Sequence, residues 1–326
     1  MRKLEVAHET WPIAGRFTIS RGSKTTADVV VVRVSEDGAS GRGECVPYPR
    51  YGETIAGVVG ALEGARDAIE NGLSREEIAS LIIPRAARNA LDCALWDLDA
   101  KKRGIPVWQL AGLDPPSPLV TAFTLSLDEP EAMAAAAAKS AHRPLLKLKL
   151  GGERDAERLT AVREAAPESR LIVDANEGWD PDHVEDLLRV CARAGVALVE
   201  QPLAAAHDEA LRHIYRALPV CADESAHDRD GLQGLVGKYD AINIKLDKTG
   251  GLTEALALAA SAQAAGLELM TGCMVATSLA MAPAMLIGQR SSFVDLDGPL
   301  LLARDREPGI VFDGSIMHPA PRELWG

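Results

Sequence analysis

Leu171-Ile-Val-Asp-Ala-Asn176, Ala197-Leu-Val-Glu-Gln-Pro202, Val220-Cys-Ala-Asp-Glu-Ser225 and Ala241-Ile-Asn-Ile-Lys-Leu246 are four short apolar runs, each leading into a charged side chain. Runs of this length and composition read as strands buried on both faces. Upstream, Leu145-Leu-Lys-Leu-Lys-Leu150 carries Lys147 and Lys149 at its end. From Lys149 the closing charges fall at Asp174, Glu200, Asp223 and Lys245, at intervals of 25, 26, 23 and 22 residues. Each interval is the length of one strand plus one crossover to a parallel neighbour.

Outward from this block the pattern continues. Val120–Thr124 precedes it, and Leu267–Met270 and Phe293–Asp295 follow, giving eight strands separated by helical stretches. Gly195 and Gly266 stand where helices should stop, and Asp128 with Glu131 forms a capping box. Strict strand–helix alternation over eight units predicts an α/β fold, a (β/α)8 barrel of modified TIM type, over residues 113–300. The first 112 residues read differently. Val29–Val34 is a β-branched strand, Gly41–Gly52 a loop rich in Gly and Pro, and 56–71 and 84–102 are helical. The second helix carries Ala90, Leu91, Ala94, Leu95 and Leu98 on one stripe. Gly104–Pro106 ends it, and Leu113–Pro118 marks a boundary. Residues 1–112 are therefore expected to form an α+β capping domain, completed by 301–326.

Composition narrows the functional classes. A formal charge of −12 argues against a nucleic-acid partner, which would need a basic face. No apolar run reaches membrane-spanning length, so no membrane association is expected. Five cysteines, an odd number with no close spacing and no secretory segment before them, fit free thiols and a cytoplasmic location. The seven histidines form no zinc-binding pattern. The sequence is compatible with a homo-oligomer.

In a (β/α)8 barrel the C-terminal strand ends share one mouth, where active sites lie. Asp174, Glu200 and Asp223, from three adjacent strands, would form a hard oxygen site suited to one Mg²⁺ per subunit. Lys149 and Lys245 would flank it. A lysine serves as a base when its pKa falls toward neutrality, and a metal ion with Lys147 close by would push it that way. A lone strand-end Asp is usually a helix cap, and a lone Lys-x-Lys usually protects a sheet edge. Six such residues on consecutive strand ends do not fit those readings.

The order Lys-x-Lys, Asp-x-Asn, Glu-Gln-Pro, Asp-Glu-Ser and Asn-Ile-Lys-Leu-Asp-Lys-Thr-Gly-Gly resembles the muconate-lactonizing subgroup of the enolase superfamily. Gly43–Gly52 and Asn89–Asp97 extend the similarity into the capping domain. Within the subgroup the chain most resembles dipeptide epimerases of the L-Ala-D/L-Glu type, through Asp295-Leu-Asp297 and Thr271-Gly-Cys-Met-Val275. The resemblance implies that Lys149 and Lys245 are acid/base lysines and that Asp174, Glu200 and Asp223 ligate Mg²⁺. Lys147 would meet the substrate carboxylate. Thr124, Cys273, Met274 and Val275 would line a small dipeptide substrate, and Asp295 with Asp297 would hold its ammonium. Arg21 or Lys24, in the capping loop, would pair with a glutamyl side chain. Lys248 reads as structural. The implied reaction is epimerisation of the C-terminal residue by proton transfer through an enediolate, in murein peptide recycling. The alternatives are epimerisation of other dipeptides, or o-succinylbenzoate synthase or cycloisomerase chemistry on the same metal site.

Overall fold

The computed structural model describes all 326 residues. The chain opens with an antiparallel meander, β1 (Lys3–Ile19), β2 (Gly22–Glu36) and β3 (Ala39–Cys45). Sequence reasoning found only the middle of β2. Its Val29–Val32 stretch is buried on both faces, whereas β1 lies at the sheet edge with most of its residues exposed or half-buried, so its composition gives no apolar run. Val30, Val32 and Val34 pack with Leu4 and with Leu91, Leu95 and Leu98 of a long helix. Four helices follow: α1 (Ile55–Gly64), α2 (Arg66–Glu70), α3 (Arg75–Leu81) and α4 (Arg85–Arg103), with a short α5 (Val107–Leu110) behind them.

After β4 (Leu119–Val120), eight parallel strands form the barrel: β5 (Phe123–Leu125), β6 (Leu145–Lys149), β7 (Arg170–Asp174), β8 (Val196–Glu200), β9 (Val220–Ala222), β10 (Ala241–Ile244), β11 (Glu268–Gly272) and β12 (Phe293–Asp295). The Ala122 N–H donates to the Val294 carbonyl at 2.8 Å and brings the first and last strands together. The expected first strand, Val120–Thr124, is divided. Its start belongs to β4, which pairs with β14 of a C-terminal hairpin, β13 (Phe312–Asp313) and β14 (Ile316–Met317).

The crossovers include α6 (Pro130–Ser140), α7 (Asp155–Ala165), α8 (Val184–Arg193), α9 (Leu246–Thr249), α10 (Leu252–Ala264) and α11 (Ser278–Gly288), and α12 (Gly298–Leu301) follows the last strand. Strict alternation fails twice. Between β8 and β9, and between β9 and β10, only 3₁₀ turns at Asp208–Arg212 and Leu232–Gly234 occur. The second segment carries Gly231, Gly234 and Gly237, which a helix interior disfavours. Buried Leu211, Leu232, Leu235 and Tyr239 cover the barrel wall there instead. The expected capping box at Asp128 and Glu131 is also absent. Helix α6 begins after Glu129, and the Asp128 carboxylate accepts only the adjacent N–H. Gly195 and Gly266 do follow helix ends.

One apolar residue from or just before each barrel strand fills the barrel floor: Ala122, Leu145, Ile172, Leu198, Cys221, Ala241, Met270 and Phe293. Side chains two residues further along a strand share its face. Thr124, Lys147, Asp174, Glu200, Asp223, Asn243, Gly272 and Asp295 occupy those positions. The polar layer of the site thus rests directly on an apolar plug.

Buried carboxylates join the two parts. Asp92 of α4 accepts the Thr253 N–H at the start of α10 at 2.9 Å. Asp247 of α9 accepts from Asn89 at 2.7 Å and from the Val46 N–H at 3.1 Å. Glu44 of β3 accepts from the Thr277 N–H at 2.8 Å and from Arg306 at 2.6 Å. Residues 301–326 contact both parts. The hairpin pairs with β4, while Trp325 donates to the Cys93 carbonyl at 3.0 Å and the Gly326 N–H to Asp97 at 2.8 Å.

Burial pushes the Asp247 carboxyl up to about 7, against an ordinary value near 3.8. Between those values the folded chain holds a proton that the unfolded chain releases. The contribution of Asp247 to stability is therefore lost as pH rises through this window, by on the order of 1 kcal/mol per pH unit. Asp247→Asn should flatten the dependence of thermal stability on pH between about 4 and 7. Parallel melting curves for wild type and variant at pH 5 and pH 7 would check this, and equal slopes would refute it.

Candidate active site

The barrel mouth and the capping domain enclose a cavity of about 390 Å³. Barrel residues Thr124, Lys149, Asn176, Asp223, Glu224, Lys245, Cys273, Met274, Val275, Asp295 and Asp297 line it. The β1–β2 hairpin contributes Phe17, Ile19, Arg21 and Lys24, and the second capping loop contributes Tyr48, Arg50 and Tyr51.

Asp174, Glu200 and Asp223 are buried, and their candidate ligand atoms lie within 4.8 Å of one another. Strand register sets Lys149 beside Asp174 and Asp174 beside Glu200. Three buried carboxylates on neighbouring strand ends are a hard oxygen donor set, and they fit Mg²⁺. Burial and the Asp174 charge raise the Glu200 pKa to about 7, despite Lys147. Asp174 and Asp223 are held below the usual carboxylate range. Burial opposes this, but Lys149 and Lys147 outweigh it at Asp174, and Lys245 and Lys248 at Asp223.

Lys149 Nζ lies 2.5 Å from Asp174, and Lys245 Nζ 2.6 Å from Asp223. Strands β6 and β10 are the second and sixth of eight, so these lysines come from opposite walls. At Lys245 burial works downward, but Asp223 and Glu200 outweigh it and hold the pKa well above the ordinary value. A base here depends on a cation taking up the triad's charge.

Lys147 is 1% exposed and does not line the cavity. Its Nζ lies 2.6 Å from Glu200, 2.7 Å from Asp295 and 3.2 Å from Asp174. It therefore ties two triad carboxylates to the last strand. Lys248, expected to be structural, is fully buried. It donates to the Asn243 carbonyl at 2.9 Å and lies 2.5 Å from Asp223 Oδ1. Asp295 Oδ1 is buried and has no hydrogen-bond partner. Asp297 accepts from the Thr124 N–H at 2.7 Å, and burial with the Asp295 charge raises its pKa to about 7.

The two capping cations differ. Arg21 donates to Glu224 at 2.7 Å and to the Asn176 carbonyl at 2.9 Å. Lys24 has no carboxylate within ion-pair distance; it sits 5.8 Å from the centre of the Phe17 ring, with Lys149 5.9 Å from the same ring. Burial lowers the Lys24 pKa.

Sequence reasoning missed the residues that hold the ligands. Gln201 takes a left-handed φ of 35° between Glu200 and Asp223. Its Oε1 accepts from the Asp223 N–H at 2.8 Å and the Ser225 N–H at 3.1 Å. Its Nε2 lies 2.8–2.9 Å from the Leu203 carbonyl, Ser225 Oγ and the Tyr239 hydroxyl, which share its two hydrogens. Asn243 donates to Glu200 at 2.7 Å. A Cβ on Gly272 would lie 2.6 Å from that amide, so only glycine leaves it room. The Gln of Glu-Gln-Pro and the Asn of Asn-Ile-Lys, each beside a charged strand end, were the available signal.

The family model for the mandelate racemase / muconate lactonizing enzyme N-terminal domain matches residues 1–112. The enolase C-terminal domain-like model matches residues 131–316. The L-Ala-D/L-Glu epimerase of Escherichia coli (strain K12) is 47% identical over 98% of this chain and 100% of its own length. An enolase family member from Agrobacterium tumefaciens with homology to dipeptide epimerases, solved with sodium and L-Ala-L-Glu, superposes with a TM-score of 0.98. It is 53% identical, over the full length of both chains. A dipeptide epimerase from Enterococcus faecalis V583, complexed with Mg and L-Leu-L-Tyr, gives a TM-score of 0.90 at 31% identity, over 98% of this chain and 96% of that one. With both of its parts matched and the triad and lysines on the strand ends, this chain belongs to the enolase superfamily.

Proposed function

We propose that the chain is a Mg²⁺-dependent dipeptide epimerase acting on the C-terminal residue of L-Ala-D/L-Glu. The observation that carries this reading is the pair Lys149 and Lys245 on opposite walls over one carboxylate triad. Inverting a carbon needs a proton taken from one face and another delivered to the opposite face. Each lysine serves one face. Asp174, Glu200 and Asp223 would hold the metal, with Lys147 and Gln201 keeping them in place. When bound, Mg²⁺ supplies positive charge that stabilises the enediolate formed as the α-proton leaves. Asp295, with its unpartnered oxygen, and Asp297 receive the dipeptide's ammonium. Cys273, Met274, Val275 and Thr124 line its backbone. Such a substrate places the enzyme in murein peptide recycling in the cytoplasm.

The test is proton exchange. Incubating L-Ala-L-Glu with enzyme and Mg²⁺ in D₂O should erase the glutamyl α-proton signal while the D-epimer appears. Retention of that signal would refute the reading.

Arg21 and Lys24 both face the cavity, but only Lys24 lacks an ion pair, so we assign it the glutamyl carboxylate. L-Ala-L-Glu should exceed L-Ala-L-Leu in kcat/KM. Lys24→Ala should collapse that preference, a loss of roughly 2–5 kcal/mol in transition-state binding confined to L-Ala-L-Glu. Equal kcat/KM values on the wild type would sink the assignment of Glu specificity.

A further inference from the structure

The hairpin that carries Lys24 does not hang freely over the cavity. The Leu127 N–H, in the segment after β5, donates to the Thr18 carbonyl at 3.0 Å. Ser20 Oγ donates to the Asn176 carbonyl at 3.0 Å, and Arg21 Nη1 donates to the same carbonyl at 2.9 Å. Arg21 Nη2 donates to Glu224 at 2.7 Å. Asn176 stands two residues after Asp174, and Glu224 one residue after Asp223. The hairpin tip therefore rests on the two loops that leave the triad.

Those loops are shaped to receive it. Asn176 and Glu177 adopt left-handed φ values of 47° and 63°. Such backbone is costly for non-glycine residues and persists only where the surroundings hold it. Arg50, from the second capping loop, grips Glu177 through two hydrogen bonds of 2.8 Å. Beneath the tip, Gly151 and Gly178 are in contact, and a Cβ on Gly151 would lie 2.9 Å from the Ser20 Cβ. The Glu224 side chain is 1% exposed, and its other oxygen has no partner. Taking Arg21 away would leave that buried carboxylate without its cation, a cost much larger than that of losing a surface ion pair.

We propose that Arg21 is a positioning residue that latches the β1–β2 hairpin onto Asn176 and Glu224, and thereby sets Lys24 and Phe17 over the cavity. Two cations three residues apart divide the work. Arg21 is committed to the barrel and Lys24 is left for the substrate. The proposal rests on the reading of Lys24 as the partner of the glutamyl carboxylate.

The test combines kinetics on L-Ala-L-Glu and L-Ala-L-Leu with amide hydrogen exchange of the peptide spanning residues 17–24. Wild type, Arg21→Ala, Glu224→Gln, Lys24→Ala and the Arg21→Ala/Lys24→Ala double variant are compared. Arg21→Ala and Glu224→Gln should each speed exchange of that peptide by about tenfold or more, the scale set by a lost charge-assisted hydrogen bond. Lys24→Ala should leave it unchanged. Arg21→Ala should raise KM for both dipeptides, because a loosened hairpin serves neither. Lys24→Ala should then cost little more in the Arg21→Ala background, since a lysine that is no longer placed has little left to lose. Wild-type exchange rates in Arg21→Ala would overturn the latch. A kinetic loss confined to L-Ala-L-Glu would overturn it too, and would make Arg21 itself the carboxylate's partner. The exchange measurement needs no substrate, so the latch can fail or stand independently of the epimerase reading.

Discussion

Lys149→Ala and Lys245→Ala will each abolish epimerisation of L-Ala-L-Glu, since removing a positioned general acid or base costs roughly 10²–10⁴-fold in rate. The two variants should differ from a simple knockout in one respect. Each keeps the lysine on the opposite wall, within reach of its own face of the substrate. One variant should therefore still exchange the α-proton of the L-epimer with solvent, and the other that of the D-epimer. Proton NMR of each epimer in D₂O, with each variant, separates the two. If both variants exchange the same epimer, the lysines do not serve opposite faces. Unimpaired turnover in Lys245→Ala would move the role to Lys248. That lysine is fully buried, however, and already engaged with Asp223 and the Asn243 carbonyl.

The second large effect concerns the triad. Asp174→Asn, Glu200→Gln and Asp223→Asn should each remove nearly all turnover while preserving the fold, because each replaces one of three charged oxygen ligands with a neutral amide of similar shape. Binding of an ion to the native state alone stabilises it by mass action. Added Mg²⁺ should therefore raise the melting temperature of the wild type and leave that of the three variants nearly unmoved. EDTA should abolish wild-type activity, and Mg²⁺ should restore it. Full activity after EDTA treatment would exclude a metal-dependent reaction.

Much of this site could be read from the sequence because a barrel turns linear spacing into angular position. Once Asp174, Glu200 and Asp223 were recognised as consecutive strand ends, their convergence followed from the fold, and so did the opposition of Lys149 and Lys245. What spacing could not show were contacts fixed by packing between distant segments. The division of 120–124 between two sheets depends on a hairpin almost two hundred residues later. Spacing placed Lys147 on a strand end but could not show its 2.7 Å ion pair with Asp295, a contact that only the meeting of β6 with the end of β12 produces. The ambiguity between Arg21 and Lys24 had the same origin. Both are cations on one hairpin, and which of them is already paired depends on Glu224, some two hundred residues away. Two crossovers were expected to be helices because alternation suggested it, although the glycines between β9 and β10 gave a local warning.

The apolar plug beneath the site has a consequence for how the enzyme returns to its starting state. On the proposed roles of Lys149 and Lys245, each inversion would end with the ammonium and the neutral amine exchanged between them. Before it could act on the same epimer again, the free enzyme would have to restore the original distribution. Eight apolar side chains close the barrel below the site, and the cavity lies on the side where the hairpin sits. Recycling of the free enzyme is thus a separate kinetic step, isomerisation between two protonic forms. Were that step to limit the flux at high substrate concentration, tracer exchange between the epimers would register it as saturation of the enzyme in the wrong form.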